Sequence, residues 1–313
     1  MYFPYLRGRQ NELLAVRELV ERGKLSPLVV PIIEPVKLSS TLTSTIDACD
    51  KKGHSVCLIA NPQVGSFYDD IKKEASGEKL QTLQKKCLNS TSIITALITT
   101  KGVDEHLKML KTLGLQVDEM LSLYLDRDYI DCYDTLFEKK GKYNVVPYDP
   151  AYRRIRGTRI LIADRFAPIK KERNNDYLKK EDEFFSDDHC FFLDDNYYGF
   201  SDYSIVGQDY QESGFAPYAV AIHIVYLDEQ NNLRIHHFVS DSNDDINDPA
   251  NKFYEAVEKL VKWNKEKKLN TLGIENFERL YETGAYPGLG VVKKLSIMHH
   301  LEYMGKFLEE QKK

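Results

Sequence analysis

The segment YFPYLRGRQNELLAVRELVERGKLSPLVVPIIEPVK, residues 2–37, predicts a strand, a helix and a second strand in succession. The first predicted strand ends near Arg7 and Arg9, and the second ends near Glu34 and Lys37. In an α/β domain, the carboxyl ends of neighbouring strands are the usual place for ligands and chemistry. The segment therefore predicts both the fold class and the edge of the sheet at which a site is expected.

Beyond this segment, apolar runs of strand length alternate with amphipathic stretches of helix length as far as residue 166. The alternation predicts a parallel sheet, and the uninterrupted apolar runs indicate strands that are buried on both faces. An open doubly wound sheet and a closed barrel both satisfy this pattern. Because the alternation is regular and contains no glycine-rich phosphate loop, it favours an α/β fold with a (β/α) TIM-barrel-like core, in which residues 199–207 supply the eighth strand.

After residue 166 the pattern changes, although we expect residues 1–313 to form a single barrel-like domain. Residues 168–198 are highly charged, and we interpret them as a mobile or helical insertion. Residues 199–242 combine the eighth strand with an antiparallel hairpin, in which two alternating strands flank a turn rich in Asp and Asn. Residues 248–313 are predicted to form a C-terminal helical cap.

The composition is that of an ordinary globular protein, with 42% hydrophobic and 29% charged residues and a net charge of −5. This negative balance argues against a broad nucleic-acid surface, which needs clustered Lys and Arg, but it leaves room for a local basic groove. The five cysteines form no CxxC pair and indicate reduced thiols. Since neither a signal-peptide pattern nor a run of about 18 apolar residues is found, we expect a soluble, cytoplasmic protein without membrane contact.

The strongest group of candidate functional residues lies at or just beyond the carboxyl ends of the predicted strands. Glu34, Asp126 and Asp164 are candidate catalytic residues, because carboxylates there can act as general acid or base or can hold a divalent metal. The candidate ligand-binding residues are Arg7, Arg9, Glu12, Lys37, Asn61, Arg127 and Arg165. Arginine can bind a phosphate or a carboxylate through two parallel hydrogen bonds. The alternative interpretation is an ion-pair network that holds the barrel mouth together.

The histidines and the acidic loop predict no metal site. His236 and His237 are adjacent in the hairpin and face opposite sides, whereas His223 and His237 can be cross-strand neighbours. Residues 240–249 resemble a calcium loop only superficially, because the glycine at the sixth position and the closing glutamate are missing. The cofactor therefore stays unknown, and a divalent metal held by the rim carboxylates is the one candidate.

The opening YFPYLRGRQNELLAV, followed by PIIEPV, resembles the start of the bacterial and phage beta protein family. The shared pattern is an aromatic-x-Pro strand, a basic residue, a Glu that enters a helix, and then Pro-x-x-Glu. The matching residues are Tyr2, Pro4, Arg7 or Arg9, Glu12, Ala15, Pro31 and Glu34. The resemblance is greatest to an uncharacterised branch encoded beside a restriction-type nuclease in mobile or defence-like loci. It implies a barrel-like fold and this genomic setting, but no catalytic residues.

We therefore expect a recognition or accessory component of a bacterial anti-phage or mobile-element defence system. It would act with a partner protein encoded nearby, such as a nuclease. The alternative is a metal-dependent hydrolase of a phosphate-containing substrate, of the nuclease or phosphodiesterase type, that uses the barrel rim. Carboxylates close together in an open pocket beside Arg7 or Arg9 would favour the hydrolase. Carboxylates paired separately with arginines would favour recognition.

Overall fold

Within residues 1–73, 77–212 and 218–312, the part of the chain that the computed structural model describes, eight parallel strands form a nearly closed barrel. In their order around the sheet, these strands are β1 (Tyr5–Leu6), β2 (Ile32–Ile33), β3 (Val56–Ile59), β4 (Ile93–Ile98), β5 (Leu121–Leu123), β6 (Tyr143–Pro147), β7 (Arg159–Ala163) and β9 (Gly199–Asp202). The predicted α/β fold with a TIM-barrel-like core is therefore confirmed, and the eighth barrel strand lies where the sequence predicts it.

The two ends of the sheet meet through the residues that precede β1. Tyr2 forms parallel bridges to both Val29 and Phe200. The backbone N–H of Phe3 donates to the carbonyl of Phe200 at 2.8 Å, and the N–H of Phe200 donates to the carbonyl of Met1 at 3.0 Å. These contacts exclude the open doubly wound sheet.

The interior of the barrel is a packed core, as expected for a barrel of this size. Its side chains include Phe3, Tyr5, Ile32, Cys57, Ile59, Ile94, Ala96, Ile98, Leu121, Leu123, Val145, Ile160, Ile162 and Tyr203. Because successive strand residues point to opposite faces, the intervening residues point outward and join a larger core with the helices. The rings of Tyr5 and Tyr203, whose centroids are 4.9 Å apart, close the interior near the carboxyl ends of the strands.

Helices cover the outside of the barrel. They are α1 (Gln10–Glu21), α2 (Ser40–Lys52), α3 (Phe67–Lys73), α4 (Glu78–Asn89), α5 (Val103–Thr112) and α6 (Cys132–Thr135). Local signals explain where α2 begins and ends. The Ser39 hydroxyl accepts a hydrogen bond from the N–H of Leu42 at 3.1 Å, and Gly53 takes the left-handed conformation that ends the helix.

A second sheet of the described residues consists of three antiparallel strands. Its strands, in order, are β10 (Ala221–Leu227), β11 (Leu233–Val239) and β8 (Asp182–Ser186). The first two form the predicted hairpin, and their register places His223 opposite His237. The third strand lies in residues 168–198, where the charge pattern predicts a mobile or helical insertion. That expectation is wrong for β8, which pairs with β11.

β8 forms because its residues alternate between buried and exposed positions and because its acidic side chains find partners. Glu183 and Phe185 are buried, whereas Phe184 between them is exposed. Lys171 and Lys180 pair with the Glu183 carboxylate at 3.2 and 2.9 Å. Its strand partner comes from residues far along the chain, so the local charge pattern does not reveal it.

The remaining helices of the described chain are α7 (Asp188–Phe191), α8 (Pro249–Lys267), α9 (Leu272–Thr283) and α10 (Leu289–Glu310). α8 begins with Asp248 as its cap, whose side chain accepts from the N–H of Asn251 at 3.0 Å. α10 contacts α1, α9 and β10, and all of residues 295–302 are buried. It therefore joins the barrel to the second sheet. No helix in the described ranges is both long and apolar enough to cross a membrane.

Candidate functional site

Two residues of the predicted site, Arg7 and Glu34, meet at the carboxyl end of the barrel. Arg7 follows β1 and Glu34 follows β2, and the register of these strands places Leu6 opposite Ile33. The Arg7 guanidinium forms an ion pair with the Glu34 carboxylate. The Glu34 side chain is 0% exposed and that of Arg7 is 13% exposed. Water therefore screens this pair very little.

The Glu34 carboxylate has donors on both of its oxygens. The Tyr5 hydroxyl donates to Oε2 at 2.7 Å, and the backbone N–H of Gln63 donates to Oε1 at 2.6 Å. Burial, and then the neighbouring Glu34 charge, raise the pKa of Tyr5 well above its ordinary value, so this hydroxyl stays a donor. Gly8 lies against the backbone of Glu34, and an added Cβ would lie 2.7 Å from the Glu34 carbonyl oxygen. Its φ of 58° also favours glycine at this position.

Arg7 also joins this centre to the loop that follows β9. Its guanidinium donates to the carbonyl of Gln208, and it lies 5.2 Å from the ring centroid of Tyr5 and 5.9 Å from that of Tyr203. Sequence reasoning missed Tyr5, Gln63, Tyr203 and Gln208 as members of this site. For Tyr5 a signal exists, because it lies two residues before Arg7 and shares its face of the strand.

Asp164, which follows β7, organises the loops around it through backbone donors. Its Oδ1 accepts from the N–H groups of Phe166 at 3.0 Å and Ala167 at 2.8 Å. Its Oδ2 accepts from the N–H of Gln208 at 2.6 Å. Through Gln208, Asp164 is thus linked to Arg7.

The Asp-Arg pairs after β5 and β7 have separate partners. Asp126 accepts from the N–H of Asp128 at 3.0 Å and caps a short 3₁₀ turn. Arg127 forms an exposed ion pair with Asp149. Arg165 binds both carboxylate oxygens of Asp188, with Nε 2.7 Å from Oδ2. The structure therefore does not bring these arginines to the Arg7–Glu34 pair.

Asn61 and Lys37 differ sharply in their surroundings. The Asn61 amide exchanges two 2.8 Å hydrogen bonds with the backbone N–H and carbonyl of Ile98, so it ties the end of β3 to β4. Asn61 is 1% exposed, whereas Lys37 is exposed to solvent. Of these two predicted ligand-binding residues, only Lys37 presents its side chain at the surface.

Arg9 and Glu12 lie beside α10. The Arg9 guanidinium donates to the carbonyl of Gln211, and it lies 4.8 Å from the ring centroid of Tyr210. Glu12 is buried, and neither carboxylate oxygen has a hydrogen-bond partner among the described residues. Burial raises the pKa of Glu12, and the charges of Lys293 and Arg9 oppose that shift.

A buried polar cluster between β9 and α10 was not foreseen from the sequence. The Ser204 hydroxyl lies 3.1 Å from Nδ1 of His300, and Nε2 of His300 lies 3.9 Å from Oδ2 of Asp202. The Tyr2 hydroxyl donates to Asp202 at 2.7 Å. These residue types occur in hydrolase triads, but a triad needs a nucleophile that a substrate can reach. Here all three side chains are buried, so the cluster holds α10 against the barrel.

The rim carboxylates are thus held one by one rather than gathered. No group of three or more His, Cys, Asp or Glu side chains in the described ranges is arranged to hold a metal ion. Comparisons of the chain with protein-family models, with curated proteins and with solved structures found no match. The resemblance of the first 34 residues to the beta protein family stays a prediction.

Proposed function

We propose that this chain is the recognition component of a bacterial defence system against phage or other mobile elements. It acts in the cytoplasm with a partner protein encoded nearby, such as a nuclease. In this proposal the barrel carries the recognition surface at its carboxyl rim, and the partner carries the cleavage chemistry.

The arrangement of the rim carboxylates is the observation that supports recognition over catalysis. Glu34 is held by Arg7, by the Tyr5 hydroxyl and by a backbone N–H, and Asp164 is held by three backbone N–H groups. A general base or a metal ligand needs free lone pairs that face a substrate or an ion. Carboxylates held in this way instead fix the positions of the loops at the rim, and such preorganisation favours binding.

The defence setting and the partner rest on the resemblance to the beta protein family. Tyr2, Pro4, Glu12 and Glu34 belong to the shared pattern, and in this structure all four are buried. Glu34 is 0% exposed, so it supports the rim loops of the proposed recognition surface and does not itself contact a partner.

The test is a phage plaque assay in a host that carries this gene together with its native neighbour. We expect the pair to protect and each gene alone to fail. The Arg7→Ala/Glu34→Ala variant should lose protection, whereas Glu258→Ala/Lys262→Ala, which removes an exposed pair on α8, should keep it. Circular dichroism must show that the first variant is folded. Arg7→Lys, which retains the charge, serves as a milder second variant.

Absence of protection against a broad phage panel would contradict the defence proposal. Protection that survives in a folded Arg7→Ala/Glu34→Ala variant would show that recognition does not depend on the Arg7–Glu34 pair. Affinity purification of the tagged chain from the same host should recover the neighbouring gene product. Failure of the two proteins to associate would contradict the proposed partnership.

The metal-dependent hydrolase ranks below recognition. It requires carboxylates grouped in an open pocket, whereas Glu34, Asp126 and Asp164 have separate partners in the described structure. The purified protein can be screened for phosphodiester cleavage with Mg²⁺ or Mn²⁺. Metal-dependent cleavage that is abolished by Glu34→Gln would reverse this ranking.

A further inference from the structure

A cavity of about 280 Å³ lies beside the rim, where the barrel, the second sheet and α10 meet. The loops that follow β1, β7 and β9 form one side of it, and β10 forms another. The third side is one face of α10, which contributes Leu289, Val292, Lys293 and Ser296 at helical spacing. None of the predicted site residues except Arg9 reaches this cavity.

Positive charge predominates among the described side chains that line the cavity. The cationic ones are Arg9, Lys170, Lys171 and Lys293, and the acidic one is Asp209. The first turn of α10 also borders the cavity, and the amino-terminal end of a helix carries a partial positive charge. The positive groups come from three separate parts of the chain, residues 9, 170–171 and 289–293, so the fold itself concentrates the charge.

The four cations differ in how firmly they are already paired. Lys171 lies 3.2 Å from Glu183, and Lys170 lies 3.9 Å from the well-exposed Asp209. No described carboxylate lies within 4 Å of the Lys293 amine, although Glu12 attracts it from α1 without lining the cavity. Lys293 and Lys170 are therefore the cations with the most capacity to bind a ligand.

The rest of the wall combines apolar side chains with the polar ones of Asn174, Gln211 and Ser296. Phe166, Ile205, Val206, Leu289 and Val292 line it, and the ring of Tyr177 is also present. The volume lies just below the roughly 300–1,000 Å³ that is typical of small-molecule pockets. Such a wall suits a ligand that carries an organic group as well as a charge.

We propose that this cavity binds a small phosphorylated molecule, with its phosphate held by Lys293, Lys170 and Arg9 and its organic part against the apolar wall. Lysine binds phosphate as a compact point charge, and arginine binds it through paired N–H groups. This site is distinct from the Arg7–Glu34 centre and does not depend on the defence proposal.

The test is isothermal titration calorimetry of the full-length protein with pyrophosphate, with adenosine monophosphate and with citrate. We expect both phosphate compounds to bind, with affinity that falls as salt increases. Tighter binding of the nucleotide would show that the apolar wall holds an organic group. Tighter binding of pyrophosphate would show that only the cations contribute to binding, which would contradict the proposed role of the apolar wall. Citrate that binds at least as tightly as both would overturn the assignment to phosphate.

The variants are Lys293→Gln and Lys170→Gln, with Lys265→Gln as the matched control. Lys265 is an exposed lysine on α8, outside the cavity, so its loss changes net charge equally. Each cavity variant should weaken phosphate binding by about tenfold, because hydrogen bonds to charged groups contribute that much. The control should leave the affinity unchanged.

Equal affinity in all three variants, or no binding of either phosphate compound at millimolar concentration, would overturn the proposed site. Thermal unfolding of each variant shows that it is folded. The plaque assay tests the defence proposal separately, because binding by the purified protein needs neither the partner nor a phage.

Discussion

Arg7 and Glu34 form an ion pair that solvent barely reaches. This burial determines how far the free energy of unfolding should fall when one partner is removed. Removal of one partner from a buried pair leaves a charge without its counterion, which typically costs about 3–5 kcal/mol. Tyr5 and the backbone of Gln63 would still donate to Glu34, which lessens the loss. The pair therefore stabilises the fold as well as the proposed surface.

We predict that Arg7→Ala lowers the free energy of unfolding by about 2–4 kcal/mol, because Glu34 loses its only charged partner among the described residues. Arg127→Ala is the matched comparison at the same rim, since the Arg127 side chain is 67% exposed in its ion pair with Asp149. It should cost much less, because an exposed ion pair contributes little to stability. Urea denaturation measures both values. Similar costs for the two variants would contradict the buried character of the first pair.

Helix α2 shows how a single cap supports an element of secondary structure. Ser39 accepts a hydrogen bond from the N–H of Leu42, which otherwise has no partner within the helix. Ser40 is the next residue and is exposed in the first turn. The two serines therefore have different roles despite their adjacency.

We predict that Ser39→Ala lowers the free energy of unfolding by about 1 kcal/mol, the usual effect of losing an N-cap side chain. Ser40→Ala should change it by less than about 0.5 kcal/mol, because alanine is a better helix former than serine. The two variants can be compared by chemical denaturation. An equal effect of both would contradict a specific capping role.

The two histidines of α10, His299 and His300, are fully buried. Nε2 of His299 lies 2.7 Å from the carbonyl of Val225 in β10, and its Nδ1 lies 2.7 Å from the hydroxyl of Thr271, which caps α9. The carbonyl requires a donor, so the neutral ring carries its proton on Nε2. One side chain thus links three elements.

Buried histidines in α10 and β11 predict that acid destabilises the protein. Burial lowers the pKa of His299 to about 4, of His300 to about 3 and of His237 to about 4, from an ordinary 6.5. Between pH 6.5 and about 4 the unfolded chain therefore binds more protons than the folded protein, so the free energy of unfolding falls as pH falls. Asp202 acts in the opposite direction, because burial raises its pKa to about 7. It therefore offsets the contribution of about one histidine.

We expect the urea midpoint to fall between pH 6.5 and 4 with a slope of more than one proton, because burial also holds the pKa of His223 well below its ordinary value. His299→Gln should reduce that slope by about one proton, even though it also lowers stability at neutral pH. Denaturation curves at half-unit pH intervals measure both effects. An unchanged slope in the variant would contradict the neutral, buried state of this histidine.

The closure of the barrel depends on close contact between the start of the chain and β9. A Cβ added to Gly199 would lie 2.6 Å from the Met1 carbonyl oxygen and 2.8 Å from the Phe3 ring. Ser201 lies two residues further along the same strand, is buried, and its hydroxyl has no hydrogen-bond partner in the described structure. Gly199 and Ser201 therefore provide a test of the seam, by which we mean the contact between residues 1–3 and β9.

We predict that Gly199→Ala lowers the free energy of unfolding by about 1–3 kcal/mol, because the methyl group forces the seam apart. Ser201→Ala should be neutral or slightly stabilising, since it removes a buried hydroxyl without a partner. Thermal unfolding monitored by circular dichroism compares the variants. A tolerated Gly199→Ala would show that the seam is looser than this packing implies.

Across the whole molecule, the features that could be predicted from the sequence are the local ones. The alternation of apolar runs and amphipathic segments predicted the parallel barrel, and the helical cap predicted over residues 248–313 begins where α8 begins. The alternation in the hairpin predicted the His223–His237 neighbours, whose Nδ1 atoms lie 2.7 Å apart. The carboxyl rim was predicted as the meeting place of Arg7 and Glu34, because parallel strands end at one edge.

The candidate site was only partly predictable, because proximity at the rim does not determine which partner each charge takes. Arg127 pairs with Asp149, and Arg165 pairs with Asp188, although both arginines directly follow an aspartate in the sequence. Asn61 turned out to bind the backbone of the next strand. These choices depend on distances of a few ångströms, which strand periodicity does not specify.

By itself, the sequence determined the type and order of most elements, since helix and strand periods and capping residues act over a few neighbouring positions. Only the tertiary structure decided that the residues before β1 close the barrel and that the charged segment contains β8. It also decided that Arg9, Lys170 and Lys293 line one cavity. Each of these features joins residues far apart in the chain, and such contacts depend on how the whole chain packs.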